Sequence, residues 1–315
     1  MRIFNNSITL ESRETLEEYL FGFEYRVSGL TFTSLYMWRN INEFSWEIIG
    51  DYLCIAGVNN LADNAPFLLT PLTKNGGYDR LKLAETIYTV RRLFEEKGCF
   101  FNIMLTPLHM LEIFAGALPG KLRFETDRSN FDYVYNTKDL IELKGRDYHG
   151  KRNHLNYFLN NCSFEYVEMS SDMAADALNF IHRFNIEKHH VEARAMDLLR
   201  MEEEALGDVF RNLDAVGYLS GAILVNGNLE ALCVGGRLGK NTVAVHVEKA
   251  NTRFRGLYQA INNVFCKHSV KHAEYINREE DMGMPGLRKS KMSYKPCMFI
   301  EKYRVCFLDD TEKVR

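Results

Sequence analysis

Residues able to bind phosphate or move a proton concentrate in one segment of the chain, residues 242–268. A turn in this segment carries Glu248, Lys249, Asn251, Arg253, Arg255 and Gly256, and Tyr258 follows two residues later. The first N–H groups of a helix lack partners within the helix, so arginines at a helix start predict an anion site. We therefore predict phosphate binding by these residues, with Glu248 as a candidate proton acceptor. A helix start with solvated arginines is the structural alternative.

The elements on either side of this turn are a strand and a helix. Val243, Val245 and Val247 alternate with Ala244 and His246, which predicts a half-buried strand over 242–248. Apolar residues then recur with helical spacing, which predicts a helix over 257–268. Arg253 and Gly256 match part of the R/Q-x-x-G-x-G/A pyrophosphate loop of acetyl-CoA enzymes. Tyr258 stands where this motif has a small residue, and a tyrosine there would crowd the phosphates.

A basic segment at residues 144–158 is a second candidate binding element. It contains Lys144, Arg146, Lys151, Arg152 and His154, with Tyr148 and Tyr157 interleaved. Cations mixed with aromatic rings suit RNA or phospholipid headgroups. The alternative is an exposed connecting helix that turns Leu155 and Phe158 toward the core.

A third charged segment, residues 276–291, follows directly from a predicted strand. It carries Glu279, Glu280 and Asp281 beside the bases Arg278, Arg288, Lys289 and Lys291. These residues could position an amine and neutralise a phosphodiester, with Asp281 as a second candidate proton acceptor. A salt-bridged surface loop would have the same composition. Gly283, Pro285 and Gly286 indicate an irregular backbone, which favours a functional loop.

The composition is that of an ordinary globular protein. The chain has 315 residues, 46% of them hydrophobic and 26% charged, and a net charge of −3. This length predicts about two domains, and no apolar run is long enough to span a bilayer. The seven cysteines form no C-x-x-C pair, and His189-His190 and His268/His272 lack other ligands at metal spacing. We expect reduced cysteines, no metal, and a location in the cytoplasm or at the inner membrane face.

The predicted elements form the same series twice. Each half reads as helix, helix, three strands, helix, strand, helix and strand. The hairpin turns at 50 and 227 precede the long helices at 79 and 256 by the same 29 residues. This agreement predicts a duplication of fold, divided into residues 1–140, a basic connection at 141–161, and residues 162–315. Residues 298–307 are predicted to form a terminal strand pair.

One copy of this series is typical of the GCN5-related acyltransferase (GNAT) fold, in which the fourth and fifth strands part around the acyl donor. Here those strands are predicted at 242–248 and 273–277. We therefore predict an α+β protein with a tandem duplicated GNAT-like fold, its mixed sheets flanked by helices. The donor is expected at the helix start near Gly256.

Three segments together resemble the bacterial family of the phosphatidylglycerol lysyltransferase C-terminal domain. They are KGRDYHGKRNHLN at 144–156, HVEKANTRFRGLYQAIN at 246–262 and YINREEDMGMPGLRKSKMSYKP at 275–296, and FTSLYMWR at 32–39 fits too. The resemblance implies a tandem GNAT-like pair similar to Fem-type transferases. It also implies transfer of an aminoacyl group from aminoacyl-tRNA to a lipid hydroxyl, although the large membrane-spanning region of the lipid enzymes is absent from this sequence.

Under this resemblance, the donor is aminoacyl-tRNA and no further cofactor is expected. Lys249, Arg253 and Arg255 would hold the tRNA 3′-terminal phosphates, and Lys151 or Arg152 would contact the acceptor stem. The acceptor is a lipid, a peptide or a small molecule. Two alternatives stay open: an acyl-CoA-dependent N-acyltransferase, and a non-catalytic protein that binds a peptide, lipid headgroup or RNA in the tandem cleft.

Overall fold

The computed structural model describes residues 2–22, 25–59, 64–186 and 193–310, with backbone alone for 193–198. Its strands are β1 Asn6–Ser7, β2 Ser45–Ile49, β3 Tyr52–Val58, β4 Pro66–Leu69, β5 Asn102–Pro107, β6 Leu122–Thr126, β7 Asp132–Asn136, β8 Phe164–Val167, β9 Leu219–Val225, β10 Asn228–Leu238, β11 Thr242–Ala250, β12 Tyr275–Asn277, β13 Met298–Ile300 and β14 Lys302–Phe307. Its α-helices are α1 Arg13–Leu20, α2 Phe32–Trp38, α3 Arg80–Glu96, α4 Leu111–Ala117, α5 Thr137–Glu142, α6 His149–Asn161, α7 Ala174–Ile186, α8 Ala193–Arg211, α9 Leu213–Val216, α10 Leu257–His268 and α11 Pro285–Met292.

Local sequence explains several of these boundaries. Thr31 caps α2 by accepting a hydrogen bond from the Ser34 N–H, and Asp79 caps α3. Asn226 and Gly227 both have positive φ, as a two-residue hairpin between β9 and β10 requires. The elements predicted at these places are therefore set by local chemistry.

Two seven-stranded mixed sheets carry the fold, and their orders correspond position by position. The first runs β1-β2-β3-β4-β5-β14-β6, and the second runs β8-β9-β10-β11-β12-β7-β13. The fourth and fifth strands of each sheet are parallel. This correspondence confirms the predicted α+β tandem fold.

The two halves exchange one equivalent strand. The sixth strand of the first sheet is β14, from the end of the chain, while the sixth strand of the second sheet is β7, from the first half. Strand membership therefore crosses the predicted boundaries at residues 140 and 162, and that division stays a prediction. The predicted terminal strand pair is wrong. Only Glu301 separates β13 from β14, which is too short for a hairpin turn, and the two strands enter different sheets.

The exchange leaves two hydrophobic cores. One core extends from the first sheet through α2, α7 and α8 to one face of the second sheet, where Leu232, Val234 and Val247 join it. The other lies between the opposite face of the second sheet and α5, α6 and α10. The strand β11 thus contributes side chains to both cores, and β12 contributes to the second.

Candidate active site

The strands β11 and β12 pair only at their beginnings. Thr242–Ala244 lies parallel to Tyr275–Asn277, after which β12 ends while β11 continues to Ala250. The pairing of β10 with β11 skips His246, since Gly235 opposes Val245 and Val234 opposes Val247. His246 is therefore the extra residue of a β-bulge, a feature that re-aims side chains beside active sites. We call the space where these strands part the β11–β12 opening.

On the α10 side, an ion pair crosses this opening. Arg278 donates from Nη2 to Glu248 Oε1 at 2.8 Å, and each side chain is 10% exposed. Asn262 of α10 donates to the other carboxylate oxygen at 2.9 Å. In the described structure, the buried Arg278 Nη1 has no hydrogen-bond partner. An unsatisfied buried donor is costly, and a bound acceptor would remove that cost.

On the opposite side, His246 links three elements. Its Nδ1 lies 2.8 Å from Glu279 Oε1, and its Nε2 lies 2.8 Å from Thr33 Oγ1 on α2. Gly236 makes room for this contact, since a Cβ there would lie 2.0 Å from Thr33 Oγ1. The sequence prediction missed Thr33, His246 and Glu279 as a group, because neither the bulge nor the position of α2 is visible from periodicity.

Two cations share the ring of Tyr294 beside the opening. Lys151 Nζ lies 3.9 Å from the ring centroid, and Arg278 Cζ lies 4.8 Å from it. Burial, followed by the charge of Arg278, lowers the pKa of Lys151 to about 8. The structure thus turns Lys151 inward from α6, and a lysine with this pKa can exchange a proton near neutral pH.

Lys291 fixes the backbone of the loop after β12. Its ammonium donates to three consecutive backbone carbonyls, those of Arg278, Glu279 and Glu280. Burial and Arg278 lower the pKa of Lys291 to about 8. Because all three N–H groups are engaged, this lysine positions Arg278 and Glu279 through their backbone.

Asp281, a predicted proton acceptor, is fully enclosed by donors. Arg288 binds it from Nε and Nη2 at 2.7 and 2.9 Å, while the Tyr133 hydroxyl and the Gly283 N–H also donate to it. The Arg288 hydrogen bond is the main reason that the pKa of Asp281 lies well below its usual range. This arrangement suits an anchor of the loop more than an acceptor of protons.

We predict that Asp281→Asn destabilises the fold at neutral pH. The difference in stability between this variant and wild type should become smaller in acid. A carboxyl with a lowered folded-state pKa stabilises above its ordinary pKa of 3.8, and this contribution is lost as pH falls toward the folded-state pKa. Urea unfolding midpoints between pH 7 and pH 2 measure the effect. Asp51→Asn, which removes an exposed ion pair with Lys82, should change the midpoint little. An equal deficit of Asp281→Asn at every pH would contradict the prediction.

The N-terminus of α10, the predicted phosphate site, is covered by α6. Gly256 has a φ of 90°, and a Cβ at this position would lie 2.0 Å from the His154 carbonyl oxygen. Arg255 lies outside this contact, with its guanidinium carbon 4.6 Å from the Tyr157 ring centroid. The exposed Arg255 and Tyr157 therefore lie beside the contact between the two helices, where α6 packs closely on Gly256.

Replacing Gly256 with Ala should destabilise the protein by about 2 kcal/mol or more, because it combines a left-handed backbone with a backbone clash. The matched control is Gly150→Ala in α6. An added Cβ there meets nothing within 4 Å, so this change should be neutral or stabilising. Denaturant unfolding of both variants gives the comparison, and equal stabilities would contradict the close packing of α6 on α10.

The other predicted donor residues lie in different surroundings. Lys249 crosses to the opposite face of the sheet, where it donates to Glu202 at 2.7 Å. Asn251 bonds Glu230 and accepts from the Arg253 N–H. Tyr258 is half-buried, and burial raises its pKa to about 12. Arg253 and Arg255 are thus the exposed cations of the predicted phosphate set.

The predicted tRNA or acceptor residues also separate into two groups. Arg152 donates to the carbonyls of Leu143 and Gly145, just after the end of α5. Arg288 donates to Asp281. Exposed on the surface are Lys144, Arg146, His154 and Lys289. Lys144 also contacts Glu142 at 2.8 Å.

A further feature lies away from the opening. A cavity of about 640 Å³ between α7 and α8 is lined by residues that include Leu178, Asn185, Glu203 and Arg211. Among the described residues, no group of three or more His, Cys, Asp or Glu is arranged for a metal ion. His268 instead packs on Tyr166, and His189-His190 lies outside the described residues. In the described ranges, no helix has the length and apolar character needed to cross a bilayer.

Comparison with known sequences gives a match over nearly the whole chain. Residues 22–306 match the family described as "Phosphatidylglycerol lysyltransferase, C-terminal". An uncharacterised protein of Mycoplasmoides gallisepticum is 28% identical over 185 residues, which cover 56% of this chain and 56% of that protein. The match thus spans about half the length of this curated relative.

Solved structures show the same architecture. A conserved protein of unknown function from Bacteroides thetaiotaomicron is 29% identical, with a TM-score of 0.85 over 96% of this chain and 98% of its own. The structure of L-PGS from Bacillus licheniformis gives 0.66 at 12% identity, over 97% and 94%. A tandem GNAT protein from the clavulanic acid biosynthesis pathway gives 0.52 at 8%, over 96% and 97%. The last two similarities support the tandem fold alone.

Proposed function

Because the chain belongs to the family of the phosphatidylglycerol lysyltransferase C-terminal domain, we propose that it is an aminoacyltransferase. The donor would be aminoacyl-tRNA, and the acceptor a hydroxyl or amine of a lipid, peptide or small molecule. One observation carries the proposal: Lys151 and Arg278 share the ring of Tyr294 where β11 and β12 part. Lys151, with its lowered pKa, then lies near Arg278, whose Nη1 has no hydrogen-bond partner among the described residues, which supports a proton acceptor beside an oxyanion donor.

The proposed reaction is attack of the acceptor on the ester carbonyl of the donor. The neutral amine of Lys151 takes the proton of the attacking hydroxyl or amine. Arg278 Nη1 donates to the oxyanion that forms, while Glu248 keeps the guanidinium in place. The ester C–O bond to the tRNA ribose then breaks, and the proton passes from Lys151 to the departing ribose oxygen. The new ester or amide bond stays on the acceptor.

Exposed Arg253 and Arg255 would contact the tRNA phosphates, and Tyr157 offers a ring on which a base could stack. This role keeps the predicted tRNA contacts near the start of α10, on exposed side chains beside its contact with α6. Lys144, Arg146 and His154 are further exposed basic residues, before and within α6.

The acyl-CoA alternative has less support. Pyrophosphate binding at a helix N-terminus uses its first N–H groups, and α6 packs closely on that end of α10 at Gly256. A non-catalytic binding protein is less favoured, because Lys151, with its lowered pKa, lies beside the unpaired Nη1 of Arg278 at the ring of Tyr294.

The test uses the full chain with a panel of charged tRNAs and labelled amino acids. Acceptors would include phosphatidylglycerol vesicles, glycerol derivatives and peptide amines. We expect transfer with at least one pair, and weaker tRNA binding in Arg255→Ala but not in Arg123→Ala, which removes an exposed arginine of β6. If no charged tRNA binds and no donor gives turnover, the proposal is wrong. A thermal shift with CoA would instead favour the acyl-CoA alternative.

A further inference from the structure

Four large apolar side chains are exposed along one edge of the second sheet. The exposed fractions are 63% for Met282, 49% for Met284, 44% for Met292 and 38% for Phe299. They belong to the loop after β12, to the two ends of α11, and to β13, the outer strand of its sheet. Exposed apolar residues that come together in this way indicate an interaction surface.

The backbone that presents these side chains is held in place. Met282 has a φ of 51° and Gly283 one of 71°, both in the left-handed region. The Met282 N–H bonds the Ser129 carbonyl at 3.0 Å, and the Gly283 N–H bonds Asp281. A left-handed backbone is unfavourable for methionine. The surrounding contacts therefore maintain a conformation that leaves an apolar side chain in water.

Cations lie beside the apolar side chains. The sequence of α11, PGLRKSKM, has three bases and no acid. Lys291 is buried, and Asp281 balances Arg288, so Lys289 is left as the exposed cation of the helix. Arg128, 38% exposed, lies with its guanidinium carbon 4.3 Å from the Phe299 ring centroid and pairs at 3.8 Å with the same Asp281, so one carboxylate faces two arginines and a net positive charge is left. Apolar side chains beside cations complement a surface with an apolar interior and an anionic outer layer.

We propose that the surface formed by Arg128, Met282, Met284, Lys289, Met292 and Phe299 docks onto an anionic phospholipid bilayer. The methionines and Phe299 would enter between headgroups, while Arg128 and Lys289 contact lipid phosphates. Asp281 joins this surface to the loop that carries Arg278, so docking would bring the β11–β12 opening close to the bilayer. The proposal requires neither tRNA nor a lipid acceptor.

Sedimentation with vesicles tests the docking directly. The full chain should bind vesicles of phosphatidylcholine with phosphatidylglycerol, bind those of phosphatidylcholine alone more weakly, and lose affinity as salt is raised. Met282→Ser/Met284→Ser should weaken binding about tenfold, and Lys289→Ala about fivefold. Leu81→Ser and Lys138→Ala change an exposed leucine of α3 and an exposed lysine of α5, and both should bind as wild type does.

Thermal unfolding of each variant establishes that these exposed substitutions leave the fold intact. Absence of binding to anionic vesicles would overturn the docking proposal, as would equal losses in the Leu81→Ser control. Transfer from tRNA to a soluble acceptor without vesicle binding would remove the docking proposal alone. Vesicle binding without transfer by any donor would remove the proposed function and leave the docking surface.

Discussion

Lys151→Met should lower the rate of aminoacyl transfer by a hundredfold or more while leaving the protein folded. Loss of a general base costs about 10²–10⁴ in rate, and methionine keeps most of the apolar volume against Tyr294. The measurement is the initial rate of label transfer with the donor and acceptor found active in the panel. The control is Lys138→Met, at an exposed position of α5.

The pH dependence separates a base from a residue that only packs. The pKa of Lys151 is lowered to about 8, so the fraction of Lys151 in the neutral form increases as pH rises from 6 to 9. The value of kcat/KM should increase with this fraction and level off above that pKa. Lys151→Arg should not restore the rate, since a guanidinium stays protonated in this range. A wild-type profile independent of pH, or full activity in Lys151→Met, would exclude the proposed role.

Lys302→Met should cost about 3–5 kcal/mol of unfolding free energy, the expected effect of leaving a buried charge without its partner. Lys302 begins β14 and Asp132 begins β7, the two strands that the halves exchange. Their side chains pair at 2.7 Å with almost no exposure. Asp132 also accepts from the Ser28 N–H and from Asn277. The pair therefore ties the crossing point of the two sheets, and its lysine lowers the pKa of Asp132.

Denaturant unfolding of a double-mutant cycle measures this coupling. Lys302→Met/Asp132→Asn should lose less than the sum of the two single changes, because Asp132 is then no longer a buried charge without its lysine. Glu280, the second partner of Lys302 at 2.7 Å, loses that lysine equally in the single Lys302 variant and in the double variant. Lys82→Met removes an exposed ion pair with Asp51 and should stay within about 1 kcal/mol of wild type. Purely additive losses in the cycle would contradict the pairing.

Both halves should unfold in one transition, because each sheet contains a strand of the other half.

Several features of the candidate site could be read from the sequence because they depend on local chemistry. The valine alternation and the helical spacing located β11 and α10, and the bounds predicted for α10 coincide with Leu257–His268. The dense charge after β12 marked Arg278, Asp281 and Lys291 as a group. The equal turn-to-helix distances predicted the duplicated fold, since each copy must cover its own sheet with the same elements.

What the sequence left open depends on contacts between residues far apart in the chain. Periodicity identifies a strand but not its neighbours, so the exchange of β7 and β14 was invisible. A β-bulge at His246 leaves no mark on a run of alternating residues, and Thr33 reaches it from more than two hundred positions away. Lys151 was predicted to contact tRNA or the acceptor because it lies in a basic segment with interleaved tyrosines, a pattern that suits RNA or phospholipid headgroups.

Only the packing of α6 against Tyr294 turned Lys151 inward and lowered its pKa, because burial removes the water that stabilises an ammonium ion. The sequence by itself determined the residue types, the two copies and the order of elements, all of which follow from short-range preferences. The tertiary structure alone decided which charges meet, which are buried, and that α6 packs closely against Gly256 at the start of α10.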